Sequence, residues 1–225
     1  MTDNFSIKAP CLQCRRIVLG EDAGWDEIEG AFGSADVCSL RQAWLPRQEA
    51  GLRPTSVRVG WDGTDLLILA DLADDDPFNP ITVYNEPSFM HGDVFEIFLR
   101  PVNQDPYYEF HVTPANQTFQ LRFPSAKAFA EGCRQGTQAS WKIVSPVMRS
   151  RTRVLAADKR WLAMTRIPVI QVGEQGPTRA GSHWLFSFSR YDYTRGIPKP
   201  VLSSSSPHSV CSFHRQEEWG TLVFE

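Results

Sequence analysis

Apolar residues in this chain recur at every second position, in one short run after another. Val57, Val59 and Trp61 alternate with Arg58, Gly60 and Asp62. Phe95, Ile97 and Leu99 alternate with Val94, Glu96 and Phe98. Tyr108, Phe110 and Val112 alternate with Tyr107, Glu109 and His111. A period of two places successive side chains on opposite faces of an extended strand, and a helix cannot gather such a pattern onto one side. Runs at 16–19, 66–72, Thr118–Phe123, 141–147, 151–156, 161–167, 183–191 and Gly220–Phe224 also read as strands. Asp62-Gly63-Thr64 between two of these runs is a hairpin signal. Prolines such as Pro77, Pro101, Pro106, Pro114, Pro146 and Pro168 punctuate the gaps. Helical signals are confined to Trp25–Ala31 and 125–132, and the polar run Ser203-Ser204-Ser205-Ser206 reads as a loop. The pattern predicts an all-β fold: an antiparallel β-sandwich of jelly-roll type with one or two short helices, in one domain over residues 1–225.

A chain of 225 residues is long enough to bury about 70% of its unfolded surface, so stability does not demand cross-links. The five cysteines, Cys11, Cys14, Cys38, Cys133 and Cys211, are odd in number and irregular in spacing, which speaks against a disulfide framework. Cys11 and Cys14 form a C-x-x-C without the second pair that a structural zinc site needs. They read as structural or incidental thiols. With 23 Lys+Arg against 26 Asp+Glu, the net charge of −3 argues against a nucleic-acid partner. No apolar stretch is long enough to span a membrane. No signal peptide is visible before Pro10, so the chain reads as cytoplasmic, or as secreted if the N-terminus has been trimmed.

Alternation also divides the candidate chemistry. One face of the central strands carries the apolar set of Phe95, Ile97, Leu99, Tyr108, Phe110 and Val112. The other carries Glu96, Glu109 and His111. In 118–123, the apolar positions Phe119, Leu121 and Phe123 are expected on the greasy face, with Gln120 and Arg122 beside the two glutamates. Planar donors and acceptors among rings suit a sugar, whose hydroxyls need both and whose C–H face packs on an aromatic. The plain solvent face of an antiparallel sheet reads the same way. Glu96 and Glu109 could also be imagined as a glycosidase pair, which would need a set separation and one raised pKa. Asp74-Asp75-Asp76 offers three carboxylates that could hold Ca²⁺, or simply a solvated acidic turn. No G-x-S-x-G, P-loop, G-x-G-x-x-G or H-E-x-x-H occurs.

Several segments taken in order resemble the family 9 carbohydrate-binding modules and their DOMON-like relatives. They are Val57-Arg58-Val59-Gly60-Trp61-Asp62, then Asp93-Val94-Phe95-Glu96-Ile97-Phe98-Leu99-Arg100-Pro101. Tyr107-Tyr108-Glu109-Phe110-His111-Val112-Thr113-Pro114 follows, then Phe186-Ser187-Phe188-Ser189-Arg190. The set ends with Phe213-His214-Arg215-Gln216-Glu217-Glu218-Trp219-Gly220-Thr221-Leu222-Val223-Phe224. The resemblance implies a non-catalytic β-sandwich that binds a mono- or oligosaccharide and in some members a structural Ca²⁺. It implies two aromatic rings around a terminal sugar, with polar side chains on the hydroxyls. Carried over, Tyr84 stands near one expected ring, with Glu86 beside it, and Glu96, Glu109, His111, Arg122 and Arg190 are the polar candidates. The loop that often reads Trp-Ser-Pro in the family reads Ser204-Ser205-Ser206-Pro207 here, and Tyr191 or Tyr193 is the substitute ring. Two other uses of the same fold stay open at this level. One is a surface for protein interaction or another small ligand, including haem; the other is a glycoside hydrolase.

Overall fold

The computed structural model describes residues 8–136, 138–173 and 177–225, without the side chains of 138 and 139. Among them are twelve β-strands. These are β1 (Cys11–Arg16), β2 (Val37–Ser39), β3 (Thr55–Trp61), β4 (Asp65–Ala73), β5 (Val94–Pro101) and β6 (Tyr107–Val112). They continue as β7 (Thr118–Phe123), β8 (Arg149–Leu155), β9 (Arg160–Pro168), β10 (His183–Asp192), β11 (Val201–Ser204) and β12 (Gly220–Phe224). Three short helices join them: α1 (Trp25–Ala31), α2 (Ala126–Gln135) and α3 (Val169–Val172). Among the described residues no helix is long and apolar enough to cross a membrane.

The strand order is β7-β6-β5-β10-β12-β1-β3-β4-β9-β8, with β11 on β10 and β2 on β3. β1 is the joint of this path. Its residues 11–14 pair with β12, and Arg15 and Arg16 pair with β3, both in parallel. Every other named pairing is antiparallel. The result is a mixed, nearly barrel-shaped sheet, which corrects the expected plainly antiparallel sandwich. β12 and β3 already have their directions set by antiparallel partners β10 and β4. The two run the same way, and β1 between them is parallel to both.

The hairpin between β3 and β4 forms as its sequence predicts. Gly63 takes φ +102, a region that L side chains rarely adopt. The Asp62 carboxylate accepts from the backbone N–H groups of Thr64 and Asp65 at 2.9 and 2.8 Å. The two halves of the sheet then close on one core. Phe95, Ile97, Leu99, Phe186 and Phe188 from one half meet Val57, Val59, Leu66, Ile68 and Trp161 from the other. Each such side chain, fully buried, contributes about 1.5–3 kcal/mol.

Some boundaries differ from the sequence reading. The first strand lies at Cys11–Arg16, not 16–19, and Ile17 and Leu19 instead pack with Ile28 and Phe32 around α1. The run 141–147 is no strand; Gln138–Trp141 is a 3-10 turn. The supposed serine loop begins as β11, and Ser203, Ser204 and Ser206 are buried. β2 and α3 were not expected. α2 starts at its Ser125 cap, whose hydroxyl accepts from Ala128 N–H at 3.1 Å, and ends at left-handed Gly136. All five cysteines are free; Cys14 and Cys38 are buried, and burial pushes the Cys38 thiol up to about 11 and Cys14 further. Neither is a reactive thiolate.

Candidate functional site

Register fixes which side chains share the outer face of the β10-β5-β6-β7 quarter. Ser189, Glu96, His111 and Phe119 form one row across the four strands. Ser187, Phe98, Glu109 and Leu121 form the next, and Tyr107 stands opposite Phe123. Glu96, Glu109 and His111 therefore meet, as their alternation predicts. His111 Nε2 lies 2.5 Å from Glu109 Oε1 and 3.3 Å from Glu96 Oε1. All three are buried, so the plain solvent-face reading of this row does not hold.

β7 faces the other way from its expected orientation. Its Phe119, Leu121 and Phe123 join the glutamate face, while Gln120 and Arg122 point toward the inter-sheet side. The connection of residues 113–117 sets this register, with Thr113 N–H on Gln117 carbonyl at 3.0 Å and Asn116 at φ 62. Inner-facing Gln120 has work there. Its Oε1 accepts from the N–H groups of Val147 and Met148 at 3.0 and 2.9 Å. Arg122 stacks over the Tyr108 ring and donates to its hydroxyl at 3.3 Å. It is not beside the glutamates.

Arg190 also lies on the inner side, opposite Phe95, and is 1% exposed. Its guanidinium pairs with Asp74 at 3.0 Å and Asp192 at 3.2 Å, and donates to Thr55 and the Ala73 carbonyl. Tyr84 is exposed and outside the glutamate group, its hydroxyl 3.3 Å from the Ile143 carbonyl and 3.1 Å from Gln120 Nε2. Exposed Glu86 pairs with Lys142 at 3.7 Å. Tyr193 donates to the Phe89 carbonyl, and Tyr191 packs 5.7 Å from the Phe89 ring. Where the family often has a stacking Trp, the serines are internal. Ser206 Oγ bonds Ser187 Oγ at 2.9 Å, and Ser205 Oγ accepts from Phe188 N–H.

Two adjoining hollows open over the glutamates. The larger, of about 430 Å³, is walled by Phe89, Met90, Phe119, Phe123 and Phe129, with Glu86, Glu109, Lys142 and His214 as its polar lining. The smaller, of about 200 Å³, is bounded by Phe89, Glu96, Phe98, Glu109, Tyr191, Phe213 and His214. Phe89, Glu109 and His214 belong to both. Another hollow of about 430 Å³, near Pro101, Arg179 and His183, has no buried ionisable group in its lining. The sequence reading missed Phe89 and took Phe119 and Phe123 for core. The odd-to-odd register of β6 and β7, set by the five-residue connection, is the signal that would have turned them outward.

His214 holds the junction. Its ring stacks on Phe129 with centroids 3.7 Å apart, and its Nδ1 is 2.9 Å from the Tyr107 hydroxyl. Its Nε2 lies 3.6 Å from Glu109 Oε2. Burial lowers the His214 pKa despite the neighbouring carboxylate. Burial, with the charge of Glu109, pushes Glu96 up to about 8 against the pull of His111. Burial opposes ionisation of Glu109 too, but its hydrogen bond to His111 keeps it below the usual range. His111 in turn is raised, because Glu96 and Glu109 outweigh its burial. Glu96 Oε2 and Glu109 Oε2 are buried without a hydrogen-bond partner.

The three consecutive aspartates do not act together. Asp75 pairs with Arg53 and Lys159, and Asp76 with Arg195. Asp74 instead meets Asp93 and Asp192. Gly92 permits this: a Cβ there would lie 2.6 Å from the Phe78 carbonyl, where the chain closes against Asp93. Asp74 accepts from Asp76 N–H and Arg190, and Asp93 from the N–H groups of Phe78 and Tyr193. Asp192 Oδ1 faces Arg190, so of the six oxygens only Asp192 Oδ2 lacks a partner. A calcium ion takes roughly six to eight oxygens. With five oxygens committed and a guanidinium supplying the charge, this group does not fit one.

No family profile matches the chain, and no curated protein does. Solved structures do share its fold. A Bacteroides uniformis protein assigned to carbohydrate binding superposes with a TM-score of 0.73 at 15% identity, over 96% of this chain and 99% of that one. A family 9 carbohydrate-binding module from Caldicellulosiruptor kristjanssonii, solved with glucose, gives 0.66 at 12% identity, over 96% of both chains. A second structure of such a module from that organism, solved with cellotriose, gives 0.66 at 12%, over 96% of this chain and 94% of that one. At these identities the likeness is one of fold. At that level the resemblance to the family 9 modules drawn from the sequence motifs is borne out.

Proposed function

We propose that this chain, built on the fold of the family 9 carbohydrate-binding modules, is a non-catalytic domain that binds a mono- or oligosaccharide in the hollow above Glu96 and Glu109. One observation carries the reading: two buried carboxylates present unpartnered oxygens beneath a cavity walled by Phe89, Phe119 and Phe129. Rings offer the C–H faces of a sugar a surface, and carboxyls meet its hydroxyls. The protonation pattern suits a neutral ligand. Glu109 and His111 form an ion pair, while burial and the Glu109 charge favour the protonated form of Glu96, which can both donate and accept. The fold's neighbours solved with glucose and cellotriose support the ligand class.

Glycosidase chemistry is not part of the reading. It needs two carboxyls on either side of a scissile bond. Glu96 and Glu109 share one imidazole on the same floor. Calorimetric titration with glucose, cellotriose and other sugars at millimolar concentration is the test. Heat that saturates and is lost in Glu109→Gln supports the site. Absence of heat with every sugar overturns it.

A further inference from the structure

The donors at the cavity floor are spaced for something smaller than a sugar. Glu96, Glu109 and His111 each place one ligand atom within 4.8 Å of the other two. From His111 Nε2 the carboxylate oxygens are 2.5 and 3.3 Å away. Ligands bound to one zinc ion at about 2.0–2.2 Å stand roughly 3.3 Å apart in a tetrahedron. Such a cluster could still be a closed ion pair, but two further observations point to a guest. Glu96 and Glu109 are 2% and 5% exposed, yet Oε2 of each has no hydrogen-bond partner and both side chains line the smaller cavity. His214 then brings a second imidazole, with Nε2 3.6 Å from Glu109 Oε2. Its other nitrogen is fixed by the Tyr107 hydroxyl at 2.9 Å, the outer contact that orients histidine ligands.

We propose that Glu96, Glu109 and His111, with His214 as a fourth donor, form a site for a divalent transition-metal ion of the zinc class. Imidazole with few carboxylates selects such an ion over Ca²⁺ or Mg²⁺, which take more oxygens. Entry runs through the hollow that Glu96, Glu109 and His214 all line. The assignment goes beyond the sugar reading and does not depend on it.

The test uses the EDTA-treated full chain with Cys11→Ser, Cys133→Ser and Cys211→Ser, since these three thiols are exposed and would also take zinc. Zn²⁺ is titrated by calorimetry and Co²⁺ by visible absorption, without sugar. The expected result is one ion per chain, with Co²⁺ bands free of thiolate charge transfer. His111→Ala weakens binding by ~100-fold or more and Tyr107→Phe by ~10-fold. Millimolar Ca²⁺ does not displace the Co²⁺. Absence of stoichiometric binding overturns the proposal. So does a thiolate band, or an affinity unchanged in Glu96→Gln. Should His111→Ala not fold, the parent spectrum and Glu96→Gln decide.

Discussion

Two groups of buried acids lie on opposite sides of the sheet, and each is neutralised by a different base. Inside the sheet, Asp74, Asp93 and Asp192 surround Arg190. Outside it, Glu96 and Glu109 share His111. A guanidinium keeps its charge at any physiological pH and offers many donors in a fixed fork. Arginine and three backbone amides leave the inner group with one unpartnered oxygen. An imidazole offers two nitrogens and a movable proton. It leaves an oxygen of each glutamate unanswered beneath open space. The first arrangement is closed on itself; the second leaves acceptor capacity free beside a cavity.

The contrast makes Arg190 the costliest single change. Arg190→Ala strands Asp74 and Asp192 as buried charges and is expected to lower stability by about 3–5 kcal/mol, read by urea unfolding. Sugar affinity per folded molecule should not move.

The inner group also sets a pH dependence. Burial, aided by Asp74, pushes Asp93 from 3.8 to about 8. Between those values the folded chain holds a proton that the unfolded chain has released, so stability falls as pH rises. The contribution is fully present below about pH 4 and is lost through about pH 8. Melting curves from pH 5 to 9 should show the decline, and Asp93→Asn should flatten it.

On the outer face the expected losses are smaller and appear in binding. His111→Ala leaves Glu109 without its donor, an expected cost of about 1–3 kcal/mol in thermal melts, together with loss of sugar heat. Phe89→Ala removes a wall common to both hollows. About 0.5–1.5 kcal/mol of ring contact, or roughly 2- to 12-fold in sugar affinity, should go with little change in stability. Tyr84→Ala is the weakest change. The residue is 39% exposed and lines neither hollow, and less than about 0.5 kcal/mol is expected in either measurement.

Much of this contrast was legible from alternation. Glu96, Glu109 and His111 were placed together because each opposes the apolar set of its own strand, and that alternation survives folding. Arg190 shares its parity with Phe186 and Phe188 on the core side. The period of two therefore already held its true face, while charge alone suggested the site. Arg122 failed differently. Relating β7 to β6 needs the length of the turn between them, which fixes register and not propensity. The Asp74–Asp93–Asp192 group joins residues from three segments, and no local pattern announces it. The serines of β11 read as a loop because polarity is a poor guide where hydroxyls satisfy one another inside a sheet.

The placement of β1 has a mechanical consequence. First and last strands lie side by side in parallel, with Cys11 beside Thr221 and Cys14 beside Phe224. A load pulling Cys11 and Phe224 in opposite directions would run along that ladder, not across it. Its hydrogen bonds would then bear the force together instead of parting one at a time. A domain strung between an anchored ligand and a moving neighbour would be clasped at the seam where tension enters.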